Sequence, residues 1–382
     1  MIRSCKRYWP IAILALVLAT IILMNIRPYD RNITAIFHMD HVIHGQHPMP
    51  KNFVILDVPS YDGAQYYQIS RNIPTVFQPS RWHELRNTSP VSYAYQRFLL
   101  PLCAFIISLG QETSLPWAFV LINVAALLLT ATLVLQDRKP LYAFALALSP
   151  TAMVAMHFTL AEPLTLLLIT LSLLRIEKTK NIDALTLLFL SLVVLAREVN
   201  ILFILFLLGY SLLKTRWLDA LKLLIPVLSF LILHGVIYLI FGDIPFLISA
   251  AARQLPGLAA YDILVGNRGY DRYTLSAVAL LLGFVLPALF WTGREMLRTK
   301  TLDLLTLGAF AFLCLMLIMP DYIWGSMTSI GRVITPVYPL TVLALSRRDM
   351  LSSRLLALSI LLLGIGTALG LALQIHPFTL AA

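Results

Sequence analysis

Charge is what this chain has least of. Asp, Glu, Lys and Arg make up 13% of its 382 residues, against roughly 25% in a soluble domain. With 59% apolar residues and a mean hydropathy of +0.82, that shortage excludes a soluble globular core. Cysteine is nearly absent as well. Cys5, Cys103 and Cys314 stand far apart with no CxxC pair, which leaves neither a disulfide framework nor a zinc site. No GxxxxGK[ST] run is present, so a P-loop ATPase is not expected. No basic stripe with interleaved aromatics accompanies the net charge of +10, and nucleic acid is not an expected partner.

What is present in quantity is uncharged runs near the ~20 residues needed to cross the hydrocarbon. Arg3, Lys6 and Arg7 precede the first, Tyr8 to Ile26. It is too long for the apolar region of a cleaved signal peptide, and reads as a signal-anchor running from the cytoplasm outward. Residues 27–97 then form a long polar first extracytoplasmic loop. The apolar part of 98–110 is short, which favours a re-entrant or interfacial helix. Further spans are expected at 116–135, 141–160, 161–174, 184–196, 199–213, 221–241, 273–292, 303–319, 333–346 and 355–375. Residues 242–272 form a second extracytoplasmic loop. In this arrangement Arg138, Lys139, Arg175, Lys178, Lys180, Lys214, Arg216, Lys222, Arg294, Arg298, Lys300, Arg347, Arg348 and Arg354 face the cytoplasm. Outside the long first loop, only Arg197, Arg253, Arg268, Arg272 and Arg332 face outward. That asymmetry sets the orientation. The expectation is an all-α integral membrane protein: one polytopic domain over 1–382, about eleven transmembrane helices, N-terminus cytoplasmic and C-terminus outside. The inner loops are too short to build a cytosolic nucleotide-sugar site.

The same topology gathers the unusual polar residues on the outer side. Chief among them is Asp62, in the island Val58-Pro-Ser-Tyr61-Asp62-Gly63-Ala-Gln-Tyr66-Tyr67-Gln-Ile69-Ser70. Asp-Gly alone is a common turn dipeptide. Here Tyr61, Tyr66 and Tyr67 surround it with flat amphipathic rings suited to sugars and to the membrane interface. Counting 1.5 Å per helical residue, Glu162 lies ~20 Å above Arg175 and Arg197 ~25 Å above Lys180. The two reach similar depth, below the outer surface. Ionisable residues there pair with one another or line a wet cavity, so Glu162 and Arg197-Glu198 are read either as a structural ion pair or as ligand contacts. Arg332 opens a short span broken by Pro336 and Pro339. It is read as a phosphate ligand or an arginine snorkelling to headgroups. His38, His41, His44 and His47 recur every third residue, which fits a metal or pH-sensing site or a solvated loop. His234, inside a span, reads as a hydrogen-bonded packing residue. Asn32 and Asn87 head Asn-x-Ser/Thr triplets that arise readily by chance.

The island resembles the Tyr-Asp-Gly-Gln-x-Tyr-Tyr element in the first outer loop of bacterial GT-C membrane glycosyltransferases, the polyprenyl-phosphate-sugar-dependent, mannosyltransferase-like enzymes. Arg97-Phe-Leu-Leu-Pro101-Leu, Ala161-Glu162-Pro163-Leu164, Ala196-Arg197-Glu198-Val199 and Gly331-Arg332-Val-Ile-Thr-Pro336-Val-Tyr-Pro339-Leu340 are similar to further elements of those enzymes, in the same order. The resemblance implies an inverting transferase of the inner membrane with its active site facing the periplasm or outside. A polyprenyl-phosphate-linked sugar would be the donor, beside membrane lipid and an unknown acceptor. Asp62 would be the catalytic base; Tyr61, Tyr66, Tyr67, Arg97, Glu162, Arg197, Glu198 and Arg332 would line the substrate site. Arg197 and Arg332 would anchor phosphate, and Glu162 would orient Arg197. No second carboxylate adjoins Asp62, so no cofactor is expected and a divalent metal stays open. The competing class is a transporter or flippase of lipid-linked sugars. A polymerase of lipid-linked repeat units is a third reading.

Overall fold

The computed structural model describes residues 2–41, 49–57, 61–88, 92–243, 277–319 and 335–374. Apart from Gly242 and Asp243, the second loop lies outside these residues, as does Arg332. The described chain is almost entirely helix. Helix α1 (Ile2–Ile26) leads into the polar segment, which carries a two-stranded parallel pair, β1 (Met39–Asp40) with β2 (Ile55–Leu56). Three short helices follow: α2 (Asp62–Val76), α3 (Trp82–Thr88) and α4 (Leu99–Ser108). Then come α5 (Leu115–Asp137), α6 (Pro140–Ala147), α7 (Pro150–Phe158), α8 (Glu162–Thr179), α9 (Ala184–Ala196), α10 (Ile201–Leu213), α11 (Trp217–Lys222) and α12 (Leu224–Phe241). The last helices are α13 (Ala277–Thr299), α14 (Leu304–Leu317), α15 (Val337–Arg348) and α16 (Leu351–Gln374).

This is an all-α membrane protein. Trp9–Tyr29, Leu115–Asp137, Trp217–Phe241, Ala277–Thr299 and Leu351–Leu373 are each long and apolar enough to cross a membrane. The α6–α7 pair adds a sixth span if its two halves, bent by 44°, cross together. Helices α4, α9 and α14 and the stretch Glu198–Leu213 are apolar but shorter. Large apolar side chains stand exposed along the long helices, among them Leu16, Leu121, Leu231, Phe290 and Leu362. Apolar faces of this extent are what lipid tails cover in a membrane.

The segment expected as a loop at 27–97 is largely structured. Its second half is α2 and α3, and its interior is an aromatic core. The rings of Phe37 and Phe53 pack on Tyr67 at centroid distances of 5.2 and 4.8 Å, and Phe37 meets Phe119 of α5 edge-on at 5.3 Å. The segment therefore caps one end of the bundle instead of hanging from it. Asn32, one of the two triplet asparagines, holds this cap together: its amide donates to the Asn52 carbonyl at 2.6 Å.

Inside the bundle, packing depends on close approach, because lipid gives helices no hydrophobic reason to associate. The run at 141–160 is bent, since Pro150 lacks the N–H that would continue the helical ladder. Helix α16 covers the break with a glycine. A Cβ on Gly364 would lie 1.6 Å from the Leu148 carbonyl oxygen, so only hydrogen fits. A π-helical turn at Leu281–Val285 interrupts α13, and the Ser359 hydroxyl of α16 donates to the Gly283 carbonyl there. Such turns release carbonyls that need a second partner.

Candidate functional site

Asp62 is the first residue of α2, following Tyr61 in extended backbone. The Asp-Gly pair thus starts a helix instead of making a turn. A carboxylate in a helix's first turn is favoured by the aligned backbone dipoles. Gly63 has a different reason to be there. A Cβ at this position would lie 2.1 Å from the Phe158 carbonyl oxygen at the end of α7. The glycine lets the start of α2 rest on the end of α7, and that contact sets where Asp62 stands. Gly63→Ala should therefore cost about 1–3 kcal/mol, the usual range for overpacking, with α2 displaced. Thermal unfolding in detergent measures this; an unchanged midpoint would show that the contact can relax freely.

The carboxylate of Asp62 accepts from Nη1 of Arg97. Arg97 ends a 3-10 turn, Ser92–Arg97, and is the buried member of the pair: 4% of its side chain is exposed against 24% for Asp62. Its other nitrogens turn to Glu198, with Nε donating to Oε2 and Nη2 to Oε1, both at 3.0 Å. Nη2 also donates to the Tyr93 hydroxyl, and the Tyr93 ring lies 4.8 Å from the guanidinium carbon. One arginine thus ties the start of α2 to the junction between α9 and α10, where the chain runs extended through Arg197 into the 3-10 turn Glu198–Asn200. Next to Glu198, Arg197 donates from Nη1 to Oε1 of Glu162, the first residue of α8. Both side chains of that pair are buried.

Asp62, Arg97, Glu162, Arg197 and Glu198, widely separated in sequence, meet in one cluster. The ion-pair reading of Glu162 and Arg197 is the arrangement observed. Arg97, expected among the substrate contacts, is bound on both sides by carboxylates. Its geometry is that of a residue positioning Asp62. Tyr93 was not singled out in the sequence. The available signal was its place four residues before Arg97, within helical reach.

The aromatic residues divide. Tyr61 is partly exposed and stacks on Phe158 at 4.3 Å. Tyr66 and Tyr67 are buried, and burial pushes the Tyr67 hydroxyl up to about 12, with the charge of Glu112 adding to it. Their rings are committed to the core, so a sugar could touch them only if that core opened. Tyr61 and Tyr93 are the rings left near Asp62 with exposed surface.

Of the four spaced histidines, His38 packs on His157 and Phe158 at 4.9 and 4.7 Å. Burial lowers its imidazole to about 4, so it is neutral at pH 7. His41 is exposed beside Asp57 at 3.0 Å. His44 and His47 lie outside the described residues. Among the described residues no group of three or more His, Cys, Asp or Glu is arranged to hold a metal ion. His234 is bound on both ring nitrogens, to the Phe230 carbonyl at 2.9 Å and the Gln96 amide oxygen at 3.0 Å.

No family model, no curated protein and no solved structure matches the chain.

Proposed function

We propose that the chain is an inverting glycosyltransferase of the GT-C type, moving a sugar from a polyprenyl-phosphate carrier to an extracytoplasmic acceptor. The observation that supports it is the partly exposed carboxylate of Asp62, held by a buried arginine at the loop-capped end of a membrane bundle, with Tyr61 and Tyr93 beside it. In this reading the acceptor hydroxyl gives its proton to Asp62 as its oxygen attacks the anomeric carbon. The bond from that carbon to the phosphate oxygen breaks on the opposite face, and the configuration inverts. Polyprenyl phosphate leaves already charged, so one carboxylate suffices. Glu162 fixes Arg197, and Arg197 and Arg332 are the proposed phosphate anchors.

The decisive experiment incubates purified protein with a panel of polyprenyl-phosphate sugars and measures released polyprenyl phosphate. Release from one donor supports transfer. Movement of intact lipid-linked sugar across vesicles without release would support the transporter instead.

The finer topology belongs to the same proposal. The short helices α9, α14 and α15 and the stretch Glu198–Leu213 are counted as crossings together with α8, the bent α6–α7 pair and the five long spans, giving the eleven expected, while α4 does not cross. The N-terminus lies in the cytoplasm and Asp62 outside the inner membrane. Reporter fusions after residues 80, 139, 178, 215, 297 and 350 should then read out, in, in, in, in, in. An outside signal at 139 and 178 would mean that α4 crosses, and would overturn the eleven-span arrangement.

A further inference from the structure

The end of the bundle remote from Asp62 has a groove of its own. Helix α8 connects the two ends: Glu162 starts it and Lys178 lies 16 residues on, about 24 Å away along the axis. There α5, α8 and α9 frame an open groove of about 1010 Å³, at the upper end of the size range for ligand sites. One part of its wall is apolar: Leu133 of α5, Leu171 and Leu174 of α8, Leu185 and Phe189 of α9. Its rim is basic. Arg138, Arg175, Lys178, Lys180 and Arg347 line it, against the carboxylates of Asp137 and Glu177.

The ion pairs show which cations are already engaged. Glu177 is held by Arg347 and, at 3.8 Å, by Arg138. Arg347 also reaches Asp303 at 3.0 Å, and Arg175 grips Asp183 at 2.6 Å. These three arginines are matched by three carboxylates, Glu177, Asp303 and Asp183, so the positive surplus at the rim comes from Lys178 and Lys180 against Asp137. Lys178 and Lys180 are exposed, and neither forms an ion pair among the described residues. An apolar trough that ends in two exposed lysines, which outnumber the remaining rim carboxylate of Asp137, fits an amphiphile with an anionic head and a hydrocarbon tail. Basic pockets between transmembrane helices are where anionic headgroups are held.

We propose that this groove binds one anionic phospholipid, its phosphate between Lys178 and Lys180 and one acyl chain along Leu171, Leu174 and Phe189. A phospholipid is favoured over free phosphate because the apolar wall would otherwise be unused. The site is independent of the transfer reaction and stands whether or not that reading holds.

Native mass spectrometry of the full chain in detergent, titrated with phosphatidylglycerol or phosphatidylcholine, tests this. Phosphatidylglycerol should be retained about tenfold more tightly or better, and the double substitution Lys178→Gln, Lys180→Gln should abolish the preference. Those lysines are exposed, so the fold should survive; an unchanged unfolding temperature checks that. Leu174→Trp, which fills the trough and leaves the rim, should lower retention of both lipids. Millimolar inorganic phosphate should not displace phosphatidylglycerol. Equal retention of the two lipids, wild-type preference in the lysine variant, or full displacement by inorganic phosphate would each overturn the proposal.

Discussion

Asp62→Asn should lower sugar transfer by at least about 100-fold while leaving donor binding in place. Asn matches Asp in size and can still accept a hydrogen bond from Arg97, but it cannot take the acceptor's proton, and general base catalysis contributes ~10²–10⁴-fold. Asp62→Glu should recover little, because one more methylene moves the carboxylate by about an ångström from a geometry that tolerates little error. The measurement is single-turnover release of polyprenyl phosphate, with donor affinity determined separately. If the chain moves sugars without transferring them, the wild type releases nothing. If Asp62 only starts its helix, Asn would lose the favourable charge at the first turn but leave transfer intact, and near-normal transfer by the variant would remove Asp62 from the chemistry.

The second large effect is on stability. Arg97 is buried and serves both Asp62 and Glu198. Removing one partner of a buried ion pair costs about 3–5 kcal/mol, because the remaining charge is stranded. Arg97→Leu should therefore destabilise by at least that much. Arg97→Lys keeps the charge but has no planar fork with which to reach two carboxylates, and should fall between. Adding Glu198→Gln to Arg97→Leu should recover part of the loss, since it removes one stranded charge. Unfolding in mixed micelles measures all three; a loss below about 1 kcal/mol in Arg97→Leu would mean that water reaches the cluster.

How much of this was legible in the sequence depended on the distance between partners. Depth counting from the basic residues at the helix ends brought Glu162 and Arg197 to one level, and they pair. The same counting could not assign Glu198 to Arg97, because the position of the 92–97 turn depends on how the preceding segment packs. That segment is docked by Arg86 on the carbonyls of Leu239 and Ile240 and by Ser92 on Asp243 at 2.8 Å. The island was visible as tyrosines beside an aspartate, but which ring faces the opening was not. In a helix from Asp62, successive side chains point around the axis, so Tyr66 and Tyr67 turn to the core while Tyr61, before the helix, stays at its edge. Gly63 read as a turn former because its neighbour, the Phe158 carbonyl, lies far along the chain. Helix ends also moved: α8 continues to Thr179, past the apolar run, because charged residues at an interface are good helix formers.

The contact between Gly364 and the Leu148 carbonyl also sets an order of events during synthesis. The bent α6–α7 segment is made about 200 residues before α16, which covers its bend. Irregular backbone at membrane depth is tolerated only where protein or water satisfies it. A nascent chain halted before α16 therefore lacks the glycine contact that covers the bend. Closure of this seam has to wait until residue 364 has been made, and chains truncated before that point should be degraded by membrane quality-control proteases faster than the full chain.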